Sequence, residues 1–251
     1  MAQTSRALLF ALFIPVLLAR AARAADVADY LEPKVLTGTI YADATLKQVL
    51  FTFRRTATNS GTAIHVVREF NLPDGKIAAR EEVVYDKGQL KTFVLEELQT
   101  GAKGSATVQS IGGDQKIKFN YTEGSAQKSD SEKFLNEILI SDMVGPFIIS
   151  HWDALAGGDV IKCRLVSVSR AETVGFKFFK ASDSTWHGKP VSIITLQPSS
   201  IIIAKFVDPL HFIVEQDAPH RVLQYTGRTT PSIRRNGKWE ELDAVTVFDW
   251  K

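Results

Sequence analysis

Residues 128–155, KSDSEKFLNEILISDMVGPFIISHWDAL, form the only convincing helical segment in a chain that otherwise has the pattern of β-strands. Ser129 and Glu132 have the spacing of a capping box, in which each side chain satisfies a backbone N–H of the first turn. Apolar residues then recur at three- and four-residue steps, which would place them on one helix face: Phe134, Leu135, Ile138, Leu139 and Met143. The pattern predicts a helix that organises the sheet around it.

A proline divides this segment in two. Gly145 and Pro146 are expected to end the first helix, and Pro146 suits the first position of a second short helix that includes Phe147 and Trp152. The apolar face admits two interpretations. It either caps the sheet as ordinary core, at about 1.5–3 kcal/mol for each buried side chain, or it covers an apolar cavity as a lid.

The N-terminal residues 1–24 have the pattern of a secretory signal peptide. A short basic start precedes an apolar run at residues 7–19, and Ala22 to Ala24 fits the small-x-small rule for cleavage. The run is too short to span a bilayer comfortably, so no transmembrane anchor is expected. We expect residues 25–251 to form a single β-rich domain with a helical insertion at 128–156, exported to a bacterial periplasm.

Charge and cysteine content narrow the class of protein. The whole chain has 30 basic and 28 acidic residues, but the predicted signal peptide contains three of the arginines, which leaves a net charge of −1. That balance argues against binding to nucleic acid, which needs a basic face. Cys163 is the only cysteine, so no internal disulfide is expected, and its place in the alternation Ile161, Cys163, Leu165 predicts a buried, inert thiol.

Most of the remaining chain alternates apolar and polar residues with period two. In the first half Val49, Phe51 and Phe53 alternate with Thr52 and Arg54, and the turn signal of Asp74 and Gly75 is one of several spaced by eight to twelve residues. The second half predicts strands at residues 160–168, 173–180, 191–196, 210–215, 221–227 and 244–248. Because strand twist accumulates, so long a meander has to curl. The predicted fold is mainly β, a strongly curved antiparallel sheet or incomplete barrel with the helical segment on its concave face.

Catalytic and metal-binding motifs are not found in the sequence. It has no Gly-x-Ser-x-Gly elbow, no phosphate-binding glycine loop and no His-Glu-x-x-His, and its histidines are not paired at ligand spacing. His211, with Asp208 and Glu215 nearby, is the best acid–base cluster. We expect no metal, no cofactor and no enzymatic activity, and a hydrolase around His211 remains the less favoured alternative.

The overall pattern resembles the bacterial lipoprotein-carrier (LolA/LolB-like) half-barrels and related uncharacterised periplasmic families. The resemblance comes from a signal peptide, a long meander, a mid-chain apolar helix and a second block of strands, with residues 198–231 similar to the closing strands of such families. It implies a periplasmic protein that holds a lipid or other apolar ligand on the concave face. The long mature N-terminal part and the two-block layout depart from the carriers.

Two functions follow as hypotheses. The first is non-enzymatic binding of an apolar or lipid-like ligand in a half-barrel cavity, whose expected lining is Phe134, Ile138, Leu139, Met143, Phe147, Trp152, Phe176, Phe178 and Phe212. The second is an envelope scaffold or assembly factor that binds a protein partner through a sheet edge or the basic segment 228–238. In that segment the residues expected to contact a partner or lipid head groups are Arg228, Arg234, Arg235 and Lys238.

Overall fold

A computed structural model describes residues 35–135, 137–205 and 207–250. The predicted signal peptide, residues 1–24, lies outside the described residues. The described residues form β1 (Val35–Tyr41), β2 (Val49–Ser60), β3 (Ala63–Asn71), β4 (Ile77–Asp86), β5 (Gln89–Glu97), β6 (Ala102–Ile111), β7 (Asp114–Glu123), β8 (Ala126–Lys133), β9 (Ile138–Leu139), α1 (Val144–Ser150), α2 (Trp152–Ala156), β10 (Ile161–Ser167), β11 (Glu172–Trp186), β12 (Lys189–Pro198), β13 (Leu210–Glu215), β14 (Val222–Arg235) and β15 (Lys238–Asp249).

These strands make one sheet of fifteen in the described part of the chain, in the order β8-β7-β6-β5-β4-β3-β2-β1-β15-β14-β13-β12-β11-β10-β9. Each half of the chain is a meander, and the two meanders join where β1 pairs antiparallel with β15. The sheet has two edges, β8 and β9, so it is not closed into a barrel. The predicted fold class is confirmed.

The sheet curls until its ends approach each other. Twelve strand spacings separate β8 from β11 in the sheet order, which in a flat sheet would amount to roughly 58 Å. Nevertheless Glu132 in β8 accepts hydrogen bonds from the backbone N–H of Thr173 at 2.8 Å and from its hydroxyl. Gly104 in β6 faces the turn after β10 so closely that a Cβ there would lie 2.7 Å from Cβ of Val168. The two ends of the curled sheet are therefore in contact.

The predicted helix over residues 128–143 is wrong in its first half. Residues 126–133 form the edge strand β8, in which Ser129 pairs with Asn120 and Glu132 with Ile117 instead of making a capping box. Ile138 and Ile140 then pack into one apolar cluster and Leu139 into another, which is the alternation of an extended chain. The helical part of the insertion is a short 3-10 turn at Ser141–Met143, followed by α1 and α2.

The helix α1 packs inside the curve of the sheet, as the sequence predicts. Phe147 and Ile148 are buried, and the Phe147 ring lies 5.2 Å from the Phe178 ring of β11. Their apolar cluster also includes Leu196, Phe212 and other residues of the second meander. The face of α1 formed by Phe147 and Ile148 is therefore core, whereas other residues of the helix face the space between the two meanders.

Candidate functional site

A cavity of about 420 Å³, partly open to solvent, lies between α1 and the concave face of the sheet. Its volume falls in the range of about 300–1,000 Å³ that is usual for small-molecule sites. Both meanders and the helix contribute apolar walls: Leu36, Phe53, Phe70, Phe93, Leu95, Val144, Pro146, Ile149, Leu165, Val166, Val168, Leu210, Phe212, Val222, Phe248 and Trp250. The cavity is thus lined by the elements that the fold brings together from distant parts of the chain.

One row of charged side chains crosses the apolar wall. Arg55 in β2 is the cross-strand neighbour of Arg68 in β3, and Arg68 is the neighbour of Glu81 in β4. Each occupies an inward position in its strand, because Arg55 follows Phe53, Arg68 lies between Val66 and Phe70, and Glu81 follows Ala79 at two-residue steps. The sequence analysis did not predict this site. A charged residue at a strand position where apolar residues alternate inward would have indicated it.

Asp142, in the turn before α1, completes this row. Arg55 donates from Nε to Oδ1 of Asp142 at 2.6 Å and from Nη2 to Oδ2 at 3.1 Å, and the Tyr85 hydroxyl donates to Oδ2 at 2.9 Å. Arg68 donates from Nη1 to Glu81 and to the Ser141 hydroxyl, which itself donates to Oε2 of Glu81 at 2.7 Å. The network ties the start of the helical segment to three strands of the first meander.

The electrostatics of the row determine the charge states of Asp142 and Tyr85 at neutral pH. Burial alone would raise the pKa of Asp142, but the nearby charges of Arg55 and Arg68 and the hydrogen bonds from Arg55 and Tyr85 outweigh it, so the pKa is lowered. Burial and the adjacent carboxylate raise the pKa of Tyr85 well above its ordinary value. The aspartate is therefore an anion and the tyrosine a neutral donor.

Arg68 is only partly satisfied by these contacts. Its Nε is excluded from solvent and has no hydrogen-bond partner among the described residues, since Oδ1 of Asp142 is 3.9 Å away. Its Nη2 likewise makes no hydrogen bond to any described residue. The guanidinium carbon lies 5.2 Å from the centre of the Phe53 ring and 5.7 Å from that of Phe70. A donor group held between two aromatic rings is thus available in the cavity wall.

Of the nine residues expected to line a cavity, the structure places Phe212 in the wall. Ile138, Leu139, Phe147, Phe176 and Phe178 are buried core, Phe134 and Met143 are partly buried against it, and the Trp152 ring stacks on His220 at 4.4 Å. The other eight do not border this cavity, because they pack in or against the two apolar clusters or, in the case of Trp152, on His220. The wall residues of the helical segment are instead Ser141, Asp142, Val144, Gly145, Pro146 and Ile149.

The basic segment 228–238 is not the loop that was expected. It belongs to the hairpin of β14 and β15, in which Arg235 pairs with Lys238. Arg228 lines the cavity and forms ion pairs with Glu241 and Asp243. The distance from Nε of Arg228 to Oδ1 of Asp243 is 3.0 Å. Arg234, Arg235 and Lys238 lie at the hairpin tip. Arg228 therefore lies in the cavity wall, and the other three cations do not.

The remaining sequence candidates lie outside the cavity. His211 is exposed and shares a hydrogen bond of 3.1 Å between its Nδ1 and the Thr195 hydroxyl. Glu215 pairs with Lys189 at 3.6 Å, and Asp208 is exposed. Neither carboxylate makes the hydrogen bond to His211 that a hydrolase around this histidine would require.

Cys163 is buried in β10, as its place in the alternation predicts. Burial raises the pKa of this thiol to about 12. Residues 35–135, 137–205 and 207–250 contain no cluster of three potential metal-ligating side chains. Within the same ranges, no helix combines the length and apolar character needed to cross a membrane.

Comparison with known proteins gives little further information. No protein-family model and no curated protein matches the chain. Among solved structures, a DUF1329 family protein from Desulfovibrio piger ATCC 29098 is similar over 92% of this chain and 89% of that chain, with 11% sequence identity and a TM-score of 0.24. At that identity and TM-score the likeness does not assign the chain to that family.

Proposed function

We propose that this protein is an exported, periplasmic protein that binds an apolar or lipid-like ligand without catalysing a reaction. The observation that carries the proposal is the cavity of about 420 Å³, enclosed by both meanders and covered by α1. A well-packed interior has few voids larger than a water molecule, so a space of this size with mostly apolar walls is suited to a ligand. The resemblance of the sequence pattern to LolA/LolB-like half-barrels points to the same kind of activity.

The test is native mass spectrometry of the protein purified from its own cells, followed by organic extraction of bound material. We expect a lipid-like mass at one copy per chain that is lost on denaturation. Replacing the cavity residue Ile149 by Trp should lower the bound fraction about tenfold, because the larger ring occupies the cavity. Ile111→Trp, at an exposed hairpin tip, is the matched control and should carry as much ligand as the wild type.

A wild-type protein with a clean unliganded mass, which also fails to take up the neutral dye N-phenyl-1-naphthylamine, would overturn the proposal. That result would favour the second hypothesis, a scaffold that binds a protein partner. The observation that favours this second function is the pair of adjacent isoleucines Ile201 and Ile202, which are 82% and 73% exposed. A photo-crosslinking residue at position 202 would test it by trapping one envelope protein that a crosslinker at residue 111 does not trap.

A further inference from the structure

The cavity wall contains a second unpartnered polar group besides Arg68. Tyr225 in β14 lines the cavity, and its ring stacks on that of Phe212 with the centroids 5.2 Å apart. Within the described residues its hydroxyl makes no hydrogen bond. Burial and the charge of Asp243 raise the pKa of this phenol, and the charges of Arg228 and Arg68 act against that rise. Tyr225 is thus a neutral hydrogen-bond donor in the wall of the cavity that Arg68 also lines.

The charge balance of the wall selects among ligands. Three arginines and four carboxylates line the cavity: Arg55, Arg68, Arg228, Glu81, Glu97, Asp142 and Glu241. Arg55 is paired with Asp142, Arg68 with Glu81, and Arg228 with Glu241. The wall therefore has no positive charge in excess, and an anionic head group would gain no net attraction on leaving water.

The unused capacity of the wall consists of donors. Arg68 has N–H groups on Nε and Nη2 without partners, whereas the carboxylates Glu81 and Asp142 already accept two or more hydrogen bonds each. Nε is closed off from the solvent, so the donor that a ligand oxygen can reach is Nη2, and a hydrogen bond to it takes the place of one to water. An uncharged carbonyl or hydroxyl oxygen meets this need and leaves the ion pairs undisturbed.

We propose that the cavity selects a neutral amphipathic molecule, an apolar chain with one uncharged oxygen acceptor such as an ester carbonyl, and that Arg68 and Tyr225 donate hydrogen bonds to that oxygen. This inference rests on the proposed ligand-binding function and adds the chemistry of the head group. The apolar chain lies along Phe53, Phe70 and the helix residue Ile149, and the acceptor points towards the row of charges.

The experiment compares three ligands with the same twelve-carbon chain, each displacing N-phenyl-1-naphthylamine from the full protein. The ligands are 1-lauroylglycerol, laurate and dodecyltrimethylammonium, which are neutral, anionic and cationic. We expect 1-lauroylglycerol to bind at least about tenfold more tightly than either charged ligand. Equal affinities, or tighter binding of either charged ligand, would overturn the proposal about the head group while the ligand-binding function stands.

Two variants locate the effect. Tyr225→Phe removes only the unpartnered hydroxyl, so it should fold normally, keep its affinity for the dye and lose about three- to tenfold in affinity for 1-lauroylglycerol. Arg68→Lys keeps a cation beside Glu81 but loses the Nε and Nη2 donors, and the same loss is expected. Tyr121→Phe, whose hydroxyl contacts Glu123 on the surface, is the matched control. Unchanged 1-lauroylglycerol affinity in both test variants would refute the assignment, and absence of dye binding by the wild type would instead refute the ligand-binding function.

Discussion

Asp142 is an acidic side chain placed where water is excluded, and its partners determine whether it stabilises the fold. Its side chain is 1% exposed and that of Arg55 is 8% exposed. An ion pair removed from water gives a small net gain, but loss of one partner leaves a buried charge without compensation. Replacing Asp142 should therefore lower the free energy of unfolding by more than the net stabilisation that the ion pair provides.

We predict that Asp142→Asn lowers the free energy of unfolding by about 3–5 kcal/mol, because Arg55 loses its carboxylate. Urea denaturation followed by circular dichroism measures the change. Asp74→Asn is the control, since Asp74 forms an exposed pair with Lys76 at 2.8 Å and its loss should leave the midpoint unchanged. Equal stability of Asp142→Asn and the wild type would show that the pair does not stabilise the fold.

The same residue predicts a pH dependence. The pKa of Asp142 is lowered in the folded protein, while an unfolded aspartate has a pKa of about 3.9. The stabilisation is therefore fully present above about pH 4, and it is lost as the pH falls through the lower folded-state pKa. The difference in unfolding free energy between wild type and Asp142→Asn should narrow below about pH 4, and a series of urea titrations would measure it.

Residue patterns made part of this site predictable. The period-two alternation of β2 places Phe51 and Phe53 inward, and the structure confirms it. The same alternation puts Arg55 on that face, but no local pattern indicates that its partner is Asp142, which lies in a different element. Ion pairs between distant elements depend on the sheet topology, and alternation specifies only the face of a strand.

At the scale of single elements, α1 separates core from cavity within one turn. Ile148 is fully buried in the cluster beneath the helix, whereas its neighbour Ile149 is half-buried and lines the cavity. Adjacent positions on a helix point about 100° apart, so the two isoleucines have different surroundings. Their substitution by alanine therefore separates packing from ligand binding.

We predict that Ile148→Ala lowers the free energy of unfolding by about 2–5 kcal/mol, because it opens a void in packed core. Ile149→Ala, the matched control, should cost about 1 kcal/mol or less, since the side chain already borders a cavity. Thermal and urea denaturation of the two variants would measure the difference. Equal losses would indicate that the cavity side of α1 is packed as tightly as the sheet side.

The element β8 shows why the helix prediction failed at its start. Its sequence is almost wholly polar, and all its residues except Glu132 are exposed, so it has no apolar alternation to mark a strand. Its pairing with β7 supplies backbone hydrogen bonds that override the local helical pattern. The two serines and the aspartate at residues 129–131 are poor helix formers, which already argued against a helix there. By contrast, five of the six strands predicted in the second meander begin within two residues of their predicted positions, whereas β15 begins at Lys238 instead of residue 244.

For the whole molecule, the contact of β8 with β11 holds the curled sheet in shape without a ladder of backbone hydrogen bonds. Glu132 supplies both acceptor oxygens, and Arg164 approaches its Oε2 at 3.9 Å. Glu132 and Arg164 are partly exposed to water, whereas Thr173 is buried. The Arg164–Glu132 pair therefore contributes little to stability, and the hydrogen bonds from Thr173 matter more, because the buried N–H of Thr173 has its acceptor in Glu132.

We predict that Glu132→Ala speeds amide hydrogen exchange in β8 and at residues 172–174, and that the free energy of unfolding falls by about 1–3 kcal/mol, because the buried N–H of Thr173 loses its acceptor. The local effect follows because the sheet edge loses its side-chain contact with the other end. Glu123→Ala, a carboxylate of the same hairpin that contacts only Tyr121, is the control and should leave exchange at residues 172–174 unchanged. Equal exchange in both variants would show that the ends are held by other contacts.

The seam between β1 and β15 governs the order in which the chain can assemble. Thr37 pairs with Asp249 and Tyr41 with Val245, so the middle of the sheet joins the first and last strands of the part of the chain that the structure describes. Contacts between residues so far apart in sequence form slowly, because a long loop has to close before they stabilise anything. The strands of each meander can pair with their sequence neighbours independently, but the cavity lacks its second wall until β15 pairs with β1. Until β1 and β15 pair, the apolar surfaces of both halves remain uncovered, and the cavity between them is incomplete.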